Sequence, residues 1–317
     1  MLTRHFQFFK ISALTLLLLI ISLQAQAQKK VCITIDDLPV VGYGFNKPEE
    51  WKSVTQKLIT HFKEEGIPAI GYVNEHKLYT NGQLNQERLA ILELWLSNGY
   101  ELGNHTYDHM DYHKSSFEDF TANIIDGEKI TRPLMEKYQK SLQYFRHPFL
   151  RAGNTQQTSE ALEGFLKDAG YTPAPVTLDS DDYLFAKAYA GAFRKGEKDL
   201  MKKIGDEYIS HTENKLQFYE KLTEKVFGRQ IAQTYLCHAN MLNADYLDEL
   251  AEMFKRNGYE FVSQTDVLKD KAYQEPVTKF GNWGVSWLYR WALSRDKGKA
   301  LFKVDIEVPA YIQELAK

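Results

Sequence analysis

Two cysteines in 317 residues are too few for a disulfide scaffold. Nine prolines and nineteen glycines exclude a collagen-like repeat or wholesale disorder. Neither charge sign is in large excess. The 39 basic and 42 acidic residues give a net charge of −3, so the basic footprint of a nucleic-acid-binding protein is absent. No apolar run reaches the ~20 residues that span a bilayer. What remains is an ordered globular composition, 44% hydrophobic and 26% charged. The length allows two average domains or one large α/β barrel.

The longest apolar run comes at the start. Arg4 and Lys10 precede residues 11–23, ISALTLLLLIISL, and Ala25-Gln26-Ala27 follows. A charged start, a short apolar core and small residues at an A-x-A site define a secretory signal peptide. Residues 1–27 are therefore expected to leave by cleavage near Ala27. A buried N-terminal helix is the plainer reading, but such a helix would not be apolar all round. No cysteine follows directly, so no lipid anchor is indicated, and no stable membrane attachment is expected after cleavage. Taking Arg4 and Lys10 from the 39 basic residues leaves 37 against 42 acidic, a net of −5. The mature chain is expected to be exported, periplasmic or extracellular. Cys32 and Cys237 both fall in strand-like segments. Alternation along those strands puts them on opposite faces of a sheet, so they read as small buried hydrophobes rather than a bridge.

One pattern recurs along the chain: an amphipathic helix ends at a glycine and an apolar strand follows. It appears around Gly66, Gly99, Gly170 and Gly258, where a left-handed cap would end each helix. Trp51, Val54, Leu58 and Phe62 form the stripe of the first helix, with Asn46 a candidate N-cap. Leu89, Leu92 and Leu96 repeat the stripe in the next. Seven candidate strands result: 31–36, 68–74, 100–104, 143–147, 174–179, 233–238 and 260–263. Alternation with helices predicts a parallel α/β sheet. Polar residues gather at the C-terminal strand ends: Asp36-Asp37, Asn74, His105, Arg146-His147, Asp179 and His238. A doubly wound sheet would concentrate them at one switch point. Their spread over at least five strands favours a distorted (β/α) barrel of seven parallel strands.

Two segments exceed a simple barrel. Residues 184–230 read as a helical insertion of two helices. Residues 276–317 read as a C-terminal helical tail in which Trp283, Trp287 and Trp291 recur at a spacing of four. That stripe is either a sugar-stacking platform or the docking face of a helix packed on the barrel, and docking is favoured. The expected division is a signal peptide at 1–27, a barrel at 28–275 and an aromatic-rich extension at 276–317.

Four clusters carry chemistry. Asp36 and Asp37 are adjacent carboxylates, which repel unless something positive lies beside them; a metal ion could bind one and leave the other as a base. His105 and His109, four apart on one face of a helical turn, could share a metal or be a structural pair, and spacing leaves both open. His113 reads as surface. Arg146, before His147-Pro148-Phe149, could orient a carboxylate and lower its pKa. Asp179 to Tyr183 and Leu236-Cys237-His238 supply a histidine that a carboxylate can hold as a general acid.

In this order the clusters resemble the five motifs of the polysaccharide deacetylase family with the NodB homology domain (carbohydrate esterase family 4). Residues 34–38 are similar to its Thr-Phe-Asp-Asp-Gly. Residues 105–109 match His-Ser/Thr-x-x-His, and 146–149 match Arg-x-Pro-Phe/Tyr. Residues 179–183 resemble Asp-x-x-Asp-Trp, and 236–238 match Leu-x-His. The resemblance spans about 29–265. Leu38 replaces the family's usual Gly, which bears on the loop beside the metal. Tyr183 replaces its Trp, which bears on an apolar wall of the pocket.

The resemblance implies a metal-dependent hydrolase that removes N-acetyl groups from an N-acetylated glycan. Asp37, His105 and His109 would hold a divalent metal, most plausibly Zn2+. Asp36 would be the general base, oriented by Arg146. A backbone N–H near Phe149 would stabilise the oxyanion. His238 would protonate the leaving amine, tuned by Asp182. Pro148, Phe149, Tyr183 and Leu236 would lie at the substrate and oxyanion wall. The expected partner is the glycan and not nucleic acid. An O-acetyl esterase or deformylase could use the same site. A non-catalytic glycan-binding module is disfavoured, because ligands, base and acid are all present.

Overall fold

The computed structural model describes residues 28–297 and 305–317. The expected signal peptide, residues 1–27, lies outside the described residues. Among them, no helix is long and apolar enough to cross a membrane.

The chain opens with strand β1 (Lys29–Leu38) and helix α1 (Pro48–Glu65). The N-cap is Lys47 rather than Asn46: Pro48 supplies the first helical φ, and the Glu50 side chain accepts from the Lys47 N–H at 2.9 Å. Its buried face carries Trp51, Val54, Leu58 and Phe62, as the stripe requires. Gly66 ends it in the left-handed region (φ 68), and so do Gly99, Gly170 and Gly258 at later helix ends. Strand β2 (Ile70–Val73) follows. A short hairpin, β3 (Tyr79–Thr80) and β4 (Gln83–Leu84), leads to α2 (Gln86–Ser97) and β5 (Glu101–Asn104). Next come α3 (Phe117–Asp126), α4 (Thr131–Lys137), β6 (Tyr144–Phe145), α5 (Gln156–Asp168), β7 (Thr172–Pro173) and β8 (Leu178–Asp179). The insertion forms α6 (Asp182–Lys195) and α7 (Lys198–Phe227). Strand β9 (Gln233–His238), α8 (Met241–Arg256), β10 (Tyr259–Phe261) and α9 (Gln264–Val267) complete the alternation. Helices α10 (Trp287–Ser294) and α11 (Ala310–Leu315) lie in the tail.

The order β7-β6-β5-β2-β1-β9-β8 forms one curved path of seven parallel strands, a distorted (β/α) barrel. An eighth strand, β10, pairs with the lower end of β1 through Lys29–Val31. Of the strand expected at 174–179 only Leu178–Asp179 pairs, as β8, and β7 (Thr172–Pro173) lies just before it, outside the expected strands. Pro175 has no N–H for a ladder, so regular pairing lapses between β7 and Leu178. The tail meets the chain there: Trp287 N–H donates to the Val176 carbonyl at 2.7 Å.

Both cysteines are free and buried. Cys32 packs with Ile70, Tyr72 and Tyr144 on the face that Thr34 and Asp36 share. Cys237 belongs to the main core on the other face. Trp287 and Trp291 are 8% and 1% exposed and sit in that main core, so α10 is docked by them. Trp283 lies before the helix and is half-buried. The two insertion helices share a second core with α11, built from Phe185, Tyr189, Tyr208 and Ile312.

Candidate active site

Adjacent residues of a regular strand point to opposite faces, so Asp36 and Asp37 should not serve one site. The register resolves this. Thr34 pairs with Ile70 and Ile35 with Gly71, but Leu38 pairs with Val73, which leaves one extra residue on β1. At this bulge Asp37 turns into the left-handed region (φ 69), and both carboxylates line one cavity of about 550 Å³. Leu38 closes the bulge by packing into space that Gly71 leaves: a β-carbon on Gly71 would lie 2.2 Å from Leu38 Cδ1.

His105 follows β5, but 105–109 is not a helical turn. Thr106 (φ 65) and His109 (φ 60) are both left-handed. Neighbouring side-chain amides shape the loop. Asn104 Oδ1 accepts from the Thr106 N–H at 2.7 Å, and Asn123 Oδ1 from the Tyr107 N–H at 3.0 Å. The two imidazoles then lie edge to face with centroids 4.8 Å apart. His105 Nε2 is 3.6 Å and His109 Nε2 3.8 Å from Asp37 Oδ1. One ligand atom from each of the three residues fits within 4.8 Å of the others.

These donors fit a divalent cation. Asp37 Oδ1 is buried and has no hydrogen-bond partner. Burial pushes its pKa up, but Lys77 and the nearby histidines outweigh burial and hold the carboxyl far below the usual range, so it is ionised. Burial depresses the pKa of both His105 and His109, which keeps them neutral. His105 Nδ1 lies 2.8 Å from the Arg146 carbonyl. A carbonyl only accepts, so Nδ1 carries the proton and the Nε2 lone pair faces the site. An anionic oxygen and two imidazole nitrogens are the donor chemistry of zinc and related ions.

Asp36 is 2% exposed. Its Oδ1 is 3.7 Å from Arg146 Nε, and Arg146 is fixed by its Nη2 bond to Thr34 Oγ1 at 2.9 Å and by the Tyr72 ring below it. The expected lowering of the Asp36 pKa by Arg146 is outweighed by burial, which leaves it at about 6. His238 is the register partner of Asp36 on β9. Its Nδ1 meets Asp182 Oδ1 at 2.7 Å. Asp182 Oδ2 also accepts from the His238 N–H and from Asn243 Nδ2. Burial opposes the imidazolium, but Asp182 wins and lifts the His238 pKa to about 10.

The cavity brings together Asp36, Asp37, His105, His109 and His238, with Phe149, Tyr183 and Leu236 on its wall. Arg146 and Asp182 are fully buried behind it, and Pro148 is buried in the turn. None of the described backbone hydrogen bonds uses the Phe149 N–H. His113 is half-buried beside Asp111 and Arg151, not on the surface. Sequence reasoning missed Lys77, whose Nζ donates to the Asp37 carbonyl at 3.0 Å and lies 3.4 Å from its Oδ2. It sits just past the end of β2, so extending the strand-end rule by a few residues would have found it. Tyr43, His147, Arg151, Asp179, Asp181 and Gly284 also line the cavity. Tyr43 and Gly284 sit on loops that no periodicity places.

The family model described as polysaccharide deacetylase matches residues 24–174. That span holds the first three of the five motifs; the fourth and fifth, at 179–183 and 236–238, reach the site through the fold. Among solved structures, the polysaccharide deacetylase Bc1974 from Bacillus cereus is similar at 17% identity, over 74% of this chain and 92% of that one, with a TM-score of 0.51. This likeness shows the fold. The peptidoglycan deacetylase PdaC from Bacillus subtilis is similar at 20% identity, over 78% of this chain and 94% of that one, with a TM-score of 0.49. BA3943 from Bacillus anthracis, described as a CE4 family pseudoenzyme, is similar at 15% identity, over 77% and 66%, with a TM-score of 0.48. No match was found among curated protein sequences.

Proposed function

Through residues 24–174 the chain belongs to the polysaccharide deacetylase family, and from that premise we propose that it is a metal-dependent N-deacetylase of an N-acetylated glycan outside the cytoplasm. The observation that carries this reading is the convergence on one cavity of an Asp/His/His donor set, a buried carboxylate and a His–Asp pair. A glycan-binding module would need none of the three. Residues 28–275 form the catalytic barrel in this reading, and 276–317 an extension packed on it.

Asp37, His105 and His109 would hold the ion, with zinc the best match to two imidazoles and one carboxylate. When bound, the ion supplies Lewis acidity, which lowers the pKa of water and polarises an acyl carbonyl. Asp36 takes the proton from the attacking water, and Arg146 holds its carboxylate in place. The Phe149 N–H offers a donor to the oxyanion of the tetrahedral intermediate. His238, kept protonated by Asp182, donates to the amine as the C–N bond breaks. Acetate and a free amino sugar leave. Phe149 and Tyr183, 50% and 47% exposed, present rings to the substrate.

Acetate release from chitin oligomers, peptidoglycan and poly-N-acetylglucosamine tests this reading, with acetylated xylan as the ester control. Release from an N-acetylated substrate should stop with chelator and return with zinc. Asp37→Ala should lose metal and activity together, whereas Asp36→Asn should keep the metal and lose turnover. Release that persists at the wild-type rate after all three ligands are removed would overturn the assignment.

A further inference from the structure

Residues 147–151 leave β6 and turn back on themselves. Phe149 (φ 54) and Leu150 (φ 52) are both left-handed. Two consecutive non-glycine residues hold that conformation only where the surroundings impose it. Three contacts from the C-terminal tail do so. Arg290 of α10 is 2% exposed, and its Nη2 donates to the Leu150 carbonyl at 2.6 Å. Gly284 lies against the preceding peptide: a β-carbon there would sit 2.0 Å from the Phe149 carbonyl oxygen. Trp287 places its ring 5.4 Å from that of His147 at the start of the turn. Among the described residues, Arg290 forms no ion pair with a carboxylate; its hydrogen bonds go to the Leu150 carbonyl and, at 3.5 Å, to the Trp283 carbonyl of its own segment. A buried guanidinium that has two carbonyls and, at 5.0 Å, the Trp287 ring for partners, but no anion among the described residues, is a costly way to gain stability alone. Neither Arg290 nor Gly284 belongs to the five motifs, and both follow the last strand.

We propose that residues 284–290 are a positioning element for the active site, in which Gly284 and Arg290 fix the Phe149–Leu150 turn so that the Phe149 N–H meets the developing oxyanion. Arg290 and Gly284 touch no reacting atom and act through the loop. The proposal rests on the deacetylase reading, because it assigns a task to that N–H.

The test compares Gly284→Ala, Arg290→Ala and Arg290→Lys in the full chain loaded with zinc. It uses steady-state kinetics on the substrate that the acetate panel identifies, metal content, and backbone amide exchange followed by mass spectrometry. Gly284→Ala should lower kcat about 10- to 100-fold, the scale of a misplaced catalytic group, with KM changed by less than about twofold. Metal content should not change. Amides of 149–151 should exchange faster, and those of β1 and β9 should not. Arg290→Lys, which keeps one donor, should recover part of what Arg290→Ala loses. Unchanged loop exchange, faster exchange with wild-type kcat, or a rise in KM alone would overturn the proposal. If Arg290→Ala does not fold, Gly284→Ala decides, since it keeps the guanidinium. The exchange arm needs no substrate. Wild-type protein inactive on every glycan would therefore sink the deacetylase reading, and unchanged exchange would sink the positioning role.

Discussion

Asp36 and His238 are partners across β1 and β9, and both hold a proton more tightly than usual, for different reasons. Burial lifts Asp36 to about 6 against the pull of Arg146. The Asp182 carboxylate lifts His238 to about 10 against burial. Between those values the base is ionised while the acid keeps its proton, which is the pairing general acid–base catalysis needs. The sign for stability follows. A histidine whose pKa is raised on folding contributes fully below its ordinary value, and loses that contribution as pH rises through about 10. Asp182→Asn removes the charge responsible. The alkaline limb of kcat and the alkaline fall in Tm should then both move to lower pH. An alkaline limb that stays near its wild-type position would show that His238 is not the acid, or that Asp182 does not tune it. Lys77 marks the limit of reading single residues. It helps to hold Asp37 ionised, yet no motif contains it, because its role depends only on where the turn after β2 places it.

At the scale of elements, the bulge in β1 is the device that turns an Asp-Asp dipeptide into two distinct roles. It closes only because Leu38 finds the space above Gly71. Gly71→Ala should therefore overpack β1 against β2 and destabilise the fold by about 1–3 kcal/mol. Leu38→Ala, which leaves a cavity, should cost about 2–5 kcal/mol. The double variant should lose less than the sum of the two by at least about 0.5 kcal/mol, since each change relieves the other. Chemical denaturation of the four proteins measures this, and strict additivity would mean that the two strands do not share that space. The same strands show what was legible. Helix stripes, glycine caps and apolar segments located six of the seven strands of the curved path, and β10 beside it, because each depends on local periodicity; β7, two residues long, has none. The lapse of pairing before Leu178 follows from Pro175, which an apolar pattern does not register. The His105–His109 loop departs from the helical turn that its spacing suggests, because side-chain amides before it and on α3 set its shape. Asn104 and Asn123 hold Thr106 and Tyr107 in conformations that spacing does not reveal.

At the scale of the whole molecule, the insertion and the tail meet at one buried ammonium. Lys215 of α7 is 4% exposed. Its Nζ is 3.0 Å from Asp305 of the tail and 3.4 Å from Asp181, whose side chain lines the cavity just past β8. Nearby, α6, α7 and α11 share the second core with Leu242 of α8. Segments far apart in sequence thus depend on one another's burial, and heat should unfold barrel, insertion and tail in a single transition. Lys215→Met keeps most of the apolar stem and removes the charge, leaving Asp181 and Asp305 facing each other. Removing one partner of a fully buried pair costs about 3–5 kcal/mol; the Asp181 and Asp305 side chains are 34% and 30% exposed, which reduces the expected loss to about 2–3 kcal/mol. At about 2–4 °C per kcal/mol for a chain of this size, Tm should fall by roughly 4–12 °C in scanning calorimetry. The fall should be smaller at low pH, where protonation of the two carboxylates relieves their repulsion. A shift under about 2 °C would show that Lys215 neutralises nothing that matters to the fold. A second, lower transition in the wild type would show that the insertion and tail unfold apart from the barrel. In that case the route by which Arg290 reaches Leu150 would have to be rigid without help from the rest of the tail.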